Sequence, residues 1–361
     1  MRLCFSGYYG SRNAGDEAVL AGALRGLEMR GIAERSHVTV FSADPPRTAQ
    51  LHGVQAVSRT DLRAVCRALR AADLLVSGGG SLFQDVTSVR SVLFYAGVLW
   101  LARLMGTPYA IFAQGVGPLR RGLSRWVVRK AFLGARAVTV RDRGSEQLLA
   151  ELGIPRERVT LTADPAFLLE APGSGVRDAM RRRLGLDNGI RLIAVSARTL
   201  PDKRSGAADL SGTVKLLQER GMRVVTLPMQ PGDEEPMRPL SDAGALSFPE
   251  ELVGNPMAVL RYLAAADAVV GMRLHALILG VLCGCVPVAL SYDPKVDAFM
   301  QEMGLEAFTV PAGAFQAEEV SALTERAINS REDILDPIGR RVEEMRVRAL
   351  QGVDAIGQAA T

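Results

Sequence analysis

Cysteine is scarce, with only Cys4, Cys66, Cys283 and Cys285 in 361 residues. That excludes a disulfide framework, and Cys283-Gly284-Cys285 without a second cluster of ligands is no zinc site. The four thiols read as small buried hydrophobes in a reducing compartment. Aromatic residues are 5% of the chain, and the arginines are scattered, with Arg181-Arg182-Arg183 the one run of three. A nucleic-acid partner, which needs a continuous basic stripe with stacking platforms, is therefore not expected. Long hydrophobic runs are missing too. The longest, residues 92–105, is interrupted by Arg103 and falls short of the roughly 20 residues of a spanning helix. It reads as a core helix. The apolar stretch at the start is too short for a signal-peptide core. The expected location is the cytoplasm, with peripheral contact at the inner membrane leaflet left open.

Lysine is rarer still. It occurs four times, at Lys130, Lys203, Lys215 and Lys295, so 39 of the 43 basic residues are arginine. A lysine that survives such a bias draws attention where a compact ammonium, not a planar fork, suits the chemistry. What remains is ordinary globular composition, 48% hydrophobic and 23% charged. A single core stops growing near ~250–300 residues, so two domains are expected.

The pattern is strand–helix alternation. Strands are predicted at 3–6, 38–42, 74–77, 109–113 and 138–141, with helices at 16–29, 62–71, 91–104 and 123–132. After a Pro/Gly/Ser linker, Ala171-Pro172-Gly173-Ser174-Gly175, the alternation restarts. Strands at 192–196, 224–227, 268–271 and 286–291 alternate with helices at 206–220, 257–266 and 274–282, and a helical stretch covers 321–356. Alternation of this kind specifies parallel sheets covered on both faces. The expected fold is α/β, two doubly wound Rossmann-like domains facing each other across a cleft. The divisions are 1–170, 171–335 and a helical tail at 336–361. Ala71-Ala72-Asp73-Leu74-Leu75-Val76 is echoed 194 residues later by Ala265-Ala266-Asp267-Ala268-Val269-Val270, a faint sign that the halves are alike.

The chemistry-bearing residues sit where strands are predicted to end, which is where such sheets bind ligands. Arg273 and His275 fall between a strand and a helix. Free helix N–H groups and a guanidinium together suit a phosphate or carboxylate. His275, one of three histidines, is a candidate general acid or base there, against the alternative of a satisfied polar residue. Lys295 and Arg198 follow neighbouring strands, and Gln230 lies in the turn Pro228–Asp233. Arg141 and Arg143 flank Asp142, either an ion pair or a ligand site. In the first half the strand ends are rich in glycine and acids. Gly7-Tyr8-Tyr9-Gly10 leads to Asn13 and Asp16, Gly78-Gly79-Gly80 leads to Asp85, and Gln114-Gly115-Val116-Gly117-Pro118 follows the next strand. There is no Gly-x-Gly-x-x-Gly, and Asp16 stands where a P-loop carries lysine. Asp16 is read as a helix cap, a partner for a hydroxylated ligand, or both. Cations gather in the second half. The charge distribution alone suggests a polyol on one side and an anion on the other.

Taken together, Gly7–Gly10, Asn13–Ala18, Gly78–Gly80, Gln114–Pro118, Arg141-Asp142 and Gly271–Ala276 resemble the polysaccharide pyruvyl transferase family over nearly the whole chain. They are most similar to members acting on bacterial cell-wall polymers. The resemblance implies a glycosyltransferase-B-like fold and phosphoenolpyruvate as donor. The implied acceptor is β-linked N-acetylmannosamine on a lipid-linked precursor of a secondary cell-wall polymer, ketalised at O4 and O6 for S-layer anchoring. It carries donor binding over to Arg273, Leu274 and His275. Lys295 follows, and Arg198, Gln230 and Arg141 are extrapolated from position. His275, Arg273 and Lys295 form the expected catalytic set. Gly10, Asn13, Asp16, Gly79, Gly80, Asp85 and Arg141 form the acceptor set. No cofactor and no metal are expected. A nucleotide-sugar glycosyltransferase, or a non-catalytic anion- or glycan-binding protein, are the competing readings.

Overall fold

The computed structural model describes the chain apart from residues 87, 188 and 201–205 and the side chains of 206–209. Lys203 therefore lies outside the described residues. The chain divides into two compact units. One comprises Met1–Ser11, Asp16–Leu169 and Glu344–Thr361; the other comprises Arg12–Gly15 and Glu170–Glu343.

In the first unit the strands are β1 (Leu3–Ser6), β2 (Val38–Ser42), β3 (Gln55–Ser58), β4 (Leu74–Gly78), β5 (Tyr109–Gln114), β6 (Val138–Val140) and β7 (Val159–Leu161). They form one parallel sheet in the order β3-β2-β1-β4-β5-β6-β7. Helices α1 (Ala14–Met29), α2 (Pro45–His52), α3 (Leu62–Ala71), α4 (Val89–Leu104), α5 (Gly122–Leu133) and α6 (Arg143–Glu151) connect them. The central strands are buried along their length, as continuous runs such as Leu74-Leu75-Val76 require when helices cover both faces.

The second unit opens with α7 (Ser174–Arg183). Its strands are β8 (Leu192–Ser196), β9 (Arg223–Thr226), β10 (Ala268–Gly271), β11 (Val286–Ser291) and β12 (Thr309–Pro311). They too are parallel, in the order β12-β11-β10-β8-β9. Helices α8 (Gly206–Glu219), α9 (Glu234–Asp242), α10 (Pro256–Ala265), α11 (Leu274–Leu282), α12 (Pro294–Met303), α13 (Ala317–Asn329) and α14 (Arg331–Ala360) complete the chain. Both sheets are doubly wound, but they are not copies. The first follows the dinucleotide-fold order and the second the flavodoxin-like order 2-1-3-4-5.

The internal echo has a structural meaning. Asp73 precedes β4 and Asp267 precedes β10, and each of those strands pairs with the first strand of its own sheet. The Asp73 carboxylate accepts the Arg2 amide at 2.7 Å, and the Asp267 carboxylate accepts the Leu192 amide at 2.9 Å. Each aspartate thus pins the start of the strand beside it.

The expected tail at 336–361 is no separate appendage. From Glu344 onward α14 belongs to the first unit, where the Arg348 guanidinium donates to the Thr162 carbonyl (2.6 Å) and Arg346 to that of Phe167 (3.2 Å). The thiols also differ in part from expectation: Cys4 and Cys285 are buried, whereas Cys66 and Cys283 are only half-buried. No described helix is long and apolar enough to cross a membrane.

Candidate functional site

Ligands of doubly wound sheets bind beyond the strand C-termini, where the strand order reverses. In the second unit that switch lies between β8 and β10. β8 runs into Arg198 and β10 into Arg273, and Ser196 pairs with Gly271, so the two turns are level. β11, on the other flank of β10, leads into α12, whose first turn carries Lys295. β9, beyond β8, leads to Gln230 and Asp233. The strand order therefore sets Lys295, Arg273, Arg198 and Gln230 in a row at one end of the sheet. In the middle of that row α11 begins, with Arg273 as its N-cap residue, whose own side chain makes no capping bond and is turned instead to Asp233. Leu274 and His275 occupy its first turn. A helix N-terminus of this kind concentrates positive potential, and a guanidinium beside it adds a fixed fork.

The cations are not bare, as a simple reading of the motif would have them. Arg273 grips Asp233 through Nη2 and through Nε (3.1 Å), which turns the Nη1 side of the fork away from that carboxylate. Asp233 also accepts the amides of Met229 (3.2 Å) and Gln230 (3.3 Å). Burial pushes the Asp233 carboxyl above its ordinary range, against the charge and hydrogen bond of Arg273, the Met229 amide and the charge of Arg198. Arg198 donates to the Tyr292 hydroxyl at 2.7 Å and stacks 5.1 Å from that ring's centroid. Its Nε is buried without a partner among the described residues. Tyr292 lies in the same turn as Lys295, so this contact ties the end of β8 to the end of β11.

Residues 12–15 group with this unit. Asn13 Nδ2 donates to Gln230 Oε1 at 3.2 Å, and the Ala14 amide donates to the Met229 carbonyl at 2.7 Å. Gly15 packs so closely on the His275 imidazole that a Cβ there would strike Nδ1. Asn13 was expected on the acceptor side with the first half, but its contacts are with Gln230. It is also the cap of α1, since its Oδ1 accepts the Gly15 amide at 2.9 Å. The cap role foreseen for Asp16 is thereby corrected; Asp16 sits in the first helical turn, where a negative charge suits the helix dipole.

In the first unit the switch lies between β1 and β4, flanked by Gly7–Gly10 and Gly78–Gly80. Gly79 has φ +61° and packs on Val19, so no side chain fits. Asp16 Oδ1 lies 2.6 Å from where a Cβ on Gly80 would stand. Gly10 is held by its amide, which donates to Glu17 Oε1 at 2.8 Å, and the other oxygen of Glu17 meets His52 Nε2 at 2.7 Å. Two acceptor assignments need correction here. Asp85 spends one oxygen on the Arg120 amide (2.8 Å) and the other on that of Arg121 (2.9 Å), pinning the loop before α5. Arg141 is buried, pairs with Asp164 and donates to Ser81 Oγ at 3.2 Å, so it braces the glycine turns from beneath.

Sequence reasoning missed Asp233, Tyr292 and the Glu17–His52 pair. The first two lay in turns already singled out, at β-strand ends beside Gln230 and Lys295. The third was hidden because its partners are 35 residues apart.

Comparison with known proteins agrees with this architecture. The family model described as polysaccharide pyruvyl transferase matches residues 13–294. The amylovoran biosynthesis protein AmsJ of Erwinia amylovora is 24% identical over 302 residues, covering 77% of this chain and 71% of its own length. Among solved structures, Anabaena HepE in complex with UDP and glucose superposes with a TM-score of 0.65 at 14% identity, over 99% of this chain and 98% of that one. The UDP-GlcNAc 2-epimerase of Neisseria meningitidis, bound to UDP-GlcNAc, gives 0.61 at 13% identity over 97% and 100%. A glycosyltransferase from Rickettsia africae gives 0.62 at 9% identity over 99% and 96%. At these identities the likeness shows the fold, two Rossmann-like domains of the glycosyltransferase-B type.

Proposed function

Since the chain belongs to the polysaccharide pyruvyl transferase family, and so is a polysaccharide-modifying transferase, we propose that it moves pyruvate from phosphoenolpyruvate onto two hydroxyls of a sugar as a ketal. The acceptor we propose is β-N-acetylmannosamine of a lipid-linked secondary cell-wall polymer precursor, modified at O4 and O6. The observation that carries the reading is the row Lys295, Arg273, Arg198 across the switch point of the second sheet, with His275 in the first turn of α11. Phosphoenolpyruvate carries a carboxylate and a phosphate close together, and such a row offers separate cations to each.

The reaction balances without redox chemistry. A proton goes to the methylene carbon, C2 becomes electron-poor, and the first hydroxyl adds there. The phosphate leaves with the C2–O electron pair, and the second hydroxyl closes the ketal. Of the two hydroxyl protons, one replaces that given to the methylene and the other leaves with phosphate. His275 is the proposed proton carrier, Arg273, Lys295 and Arg198 hold the donor, and Gln230 and Asn13 fix the rim of its site. Asp16, beside the bare backbone of Gly80, orients acceptor hydroxyls.

The test is mass spectrometry of a β-N-acetylmannosaminide after incubation with phosphoenolpyruvate, alongside phosphate release. A gain of one ketal-linked pyruvyl group is expected; phosphate release without it, or neither, refutes the reading. A second reading, a nucleotide-sugar glycosyltransferase, is favoured by the UDP held in similar folds. Thermal shift separates the two, because a ligand that binds the folded state raises the melting point by mass action, the more so the further its concentration exceeds its Kd. Phosphoenolpyruvate should raise it where UDP-sugars do not.

A further inference from the structure

The sequence between Asp85 and Asp142 contains no aspartate or glutamate, yet it carries eight arginines, one lysine and both tryptophans of the chain. It includes α4 and α5, which pack side by side as consecutive crossover helices on one face of the first sheet. Each has an inward apolar face. Val92, Tyr95, Ala96, Leu99 and Ala102 of α4, with Val127, Val128 and Phe132 of α5, belong to the core beneath. What is unusual is the outward face. Leu93, Trp100 and Leu104 recur at helical spacing on α4 and are exposed, as are Phe94 beside them and Leu123 and Trp126 on α5. Around them stand the exposed cations Arg90, Arg103, Arg120, Arg121, Arg129 and Lys130.

From this surface we infer that the protein docks peripherally on an anionic lipid bilayer through the outward faces of α4 and α5. The inference does not depend on the proposed reaction. Between Ser91 and Arg103 α4 carries apolar residues on its outward as well as its inward face, a pattern that otherwise belongs to helices buried on every side. At 16 residues it is about 24 Å long, too short to cross a bilayer. It can lie along one. Tryptophan and leucine then enter the boundary between headgroups and acyl chains, while arginines reach the phosphates around them. Charge decides between a bilayer and a second copy of the chain. A two-fold contact through this face would set arginines against arginines with no acid in the stretch to compensate.

Because Trp100 and Trp126 are the only tryptophans, intrinsic fluorescence reads the proposed event directly. The full chain is mixed with vesicles of phosphatidylcholine alone or of phosphatidylcholine with phosphatidylglycerol, then sedimented, at low and at physiological salt. Binding to the anionic vesicles is expected to be about tenfold tighter or more, to weaken with salt, and to shift tryptophan emission to the blue. The Trp100→Ser/Trp126→Ser variant should lose about tenfold in vesicle binding with its melting temperature unchanged. Arg90→Glu/Lys130→Glu should lose a similar factor on anionic vesicles only. Failure to sediment with anionic vesicles at low salt overturns the proposal, as does binding without an emission shift. So does light scattering that shows a dimer broken by the tryptophan substitutions.

Discussion

The two sheets end in different chemistry although they are built by the same rule. At the strand ends of the first unit, charge is settled internally. Glu17 meets His52 and the Gly10 amide, Arg141 meets Asp164, and Asp85 is taken up by two backbone amides. What this sheet presents is backbone, in turns where Gly79 and Gly80 leave room, with Asp16 beside it. At the strand ends of the second unit, three cations stand in a row, Arg273 held by Asp233 and Arg198 by the neutral Tyr292 side chain. A charged residue at a strand end is thus not by itself evidence of a ligand. Its partner within the domain decides whether the charge braces the turn or faces outward.

The two histidines break this contrast most sharply. His275→Ala should lower ketal formation by about 10²–10⁴-fold, the usual range for a general acid, with little change in melting temperature. His52→Ala should do the reverse. It leaves Glu17 buried without its imidazole, both side chains being 3% exposed or less, and should cost about 3 kcal/mol in chemical denaturation. If His275→Ala melted early and kept its rate, the assignment of roles to the two ends would be wrong.

The echo between the halves gives the next test. Asp267 is 2% exposed and lies within 4 Å of Arg177, Arg181 and Arg191, with Arg181 itself nearly buried. Asp73 makes the same strand-pinning bond at the surface. Asp267→Ala should therefore destabilise by about 3 kcal/mol, since it strands a buried guanidinium. Asp73→Ala should cost less than about 1 kcal/mol. Equal losses in urea unfolding would mean that the strand-start bond, not the arginine cluster, sets the energy.

How much of this was legible beforehand follows from burial. The central strands were readable as uninterrupted apolar runs because helices cover both their faces. β3, β7 and β12 were not, and all three are sheet edges with exposed or half-exposed positions and no such run. Helices α2, α6, α7, α9 and α12 were missed for a related reason: they are short, and they begin within what reads as a turn or, for α7 at Ser174, within the expected linker Ala171–Gly175. At the site, the row of cations was legible because it lies on consecutive strand ends. Its internal partners were not, since Asp233 lies 40 residues from Arg273 and Asp164 lies 23 from Arg141. Local spacing gives which residues end strands, but long-range pairing decides which of them remain for a ligand.

Gly15 sharpens the comparison at smaller scale. A methyl group there strikes the His275 ring, although alanine is the better helix former at that position in α1. Gly15→Ala should leave the melting temperature level or slightly raised while lowering turnover about tenfold through a displaced imidazole. A variant with full turnover would show that the ring position is not critical. Gly79→Ala, at the corresponding turn in the first unit, should cost stability instead, because φ +61° and Val19 both oppose it.

The smallest effect concerns Asp85, whose acid limb tests the claim that the first unit uses its charges on itself. Burial works to raise its carboxyl, but the amides of Arg120 and Arg121 and the Arg121 charge together hold it below the ordinary 3.8. The folded state then binds the proton less readily than the unfolded chain does. The stabilisation is present above pH 3.8 and is lost as pH falls through the lower, folded value. Asp85→Asn cannot titrate, so its denaturation midpoint should drop modestly at neutral pH and fall less steeply than the wild type's in that acid window. Should the two curves run parallel into acid, the carboxylate is not held by those amides in solution. Asp85 would then have to be returned to the residues available to a sugar.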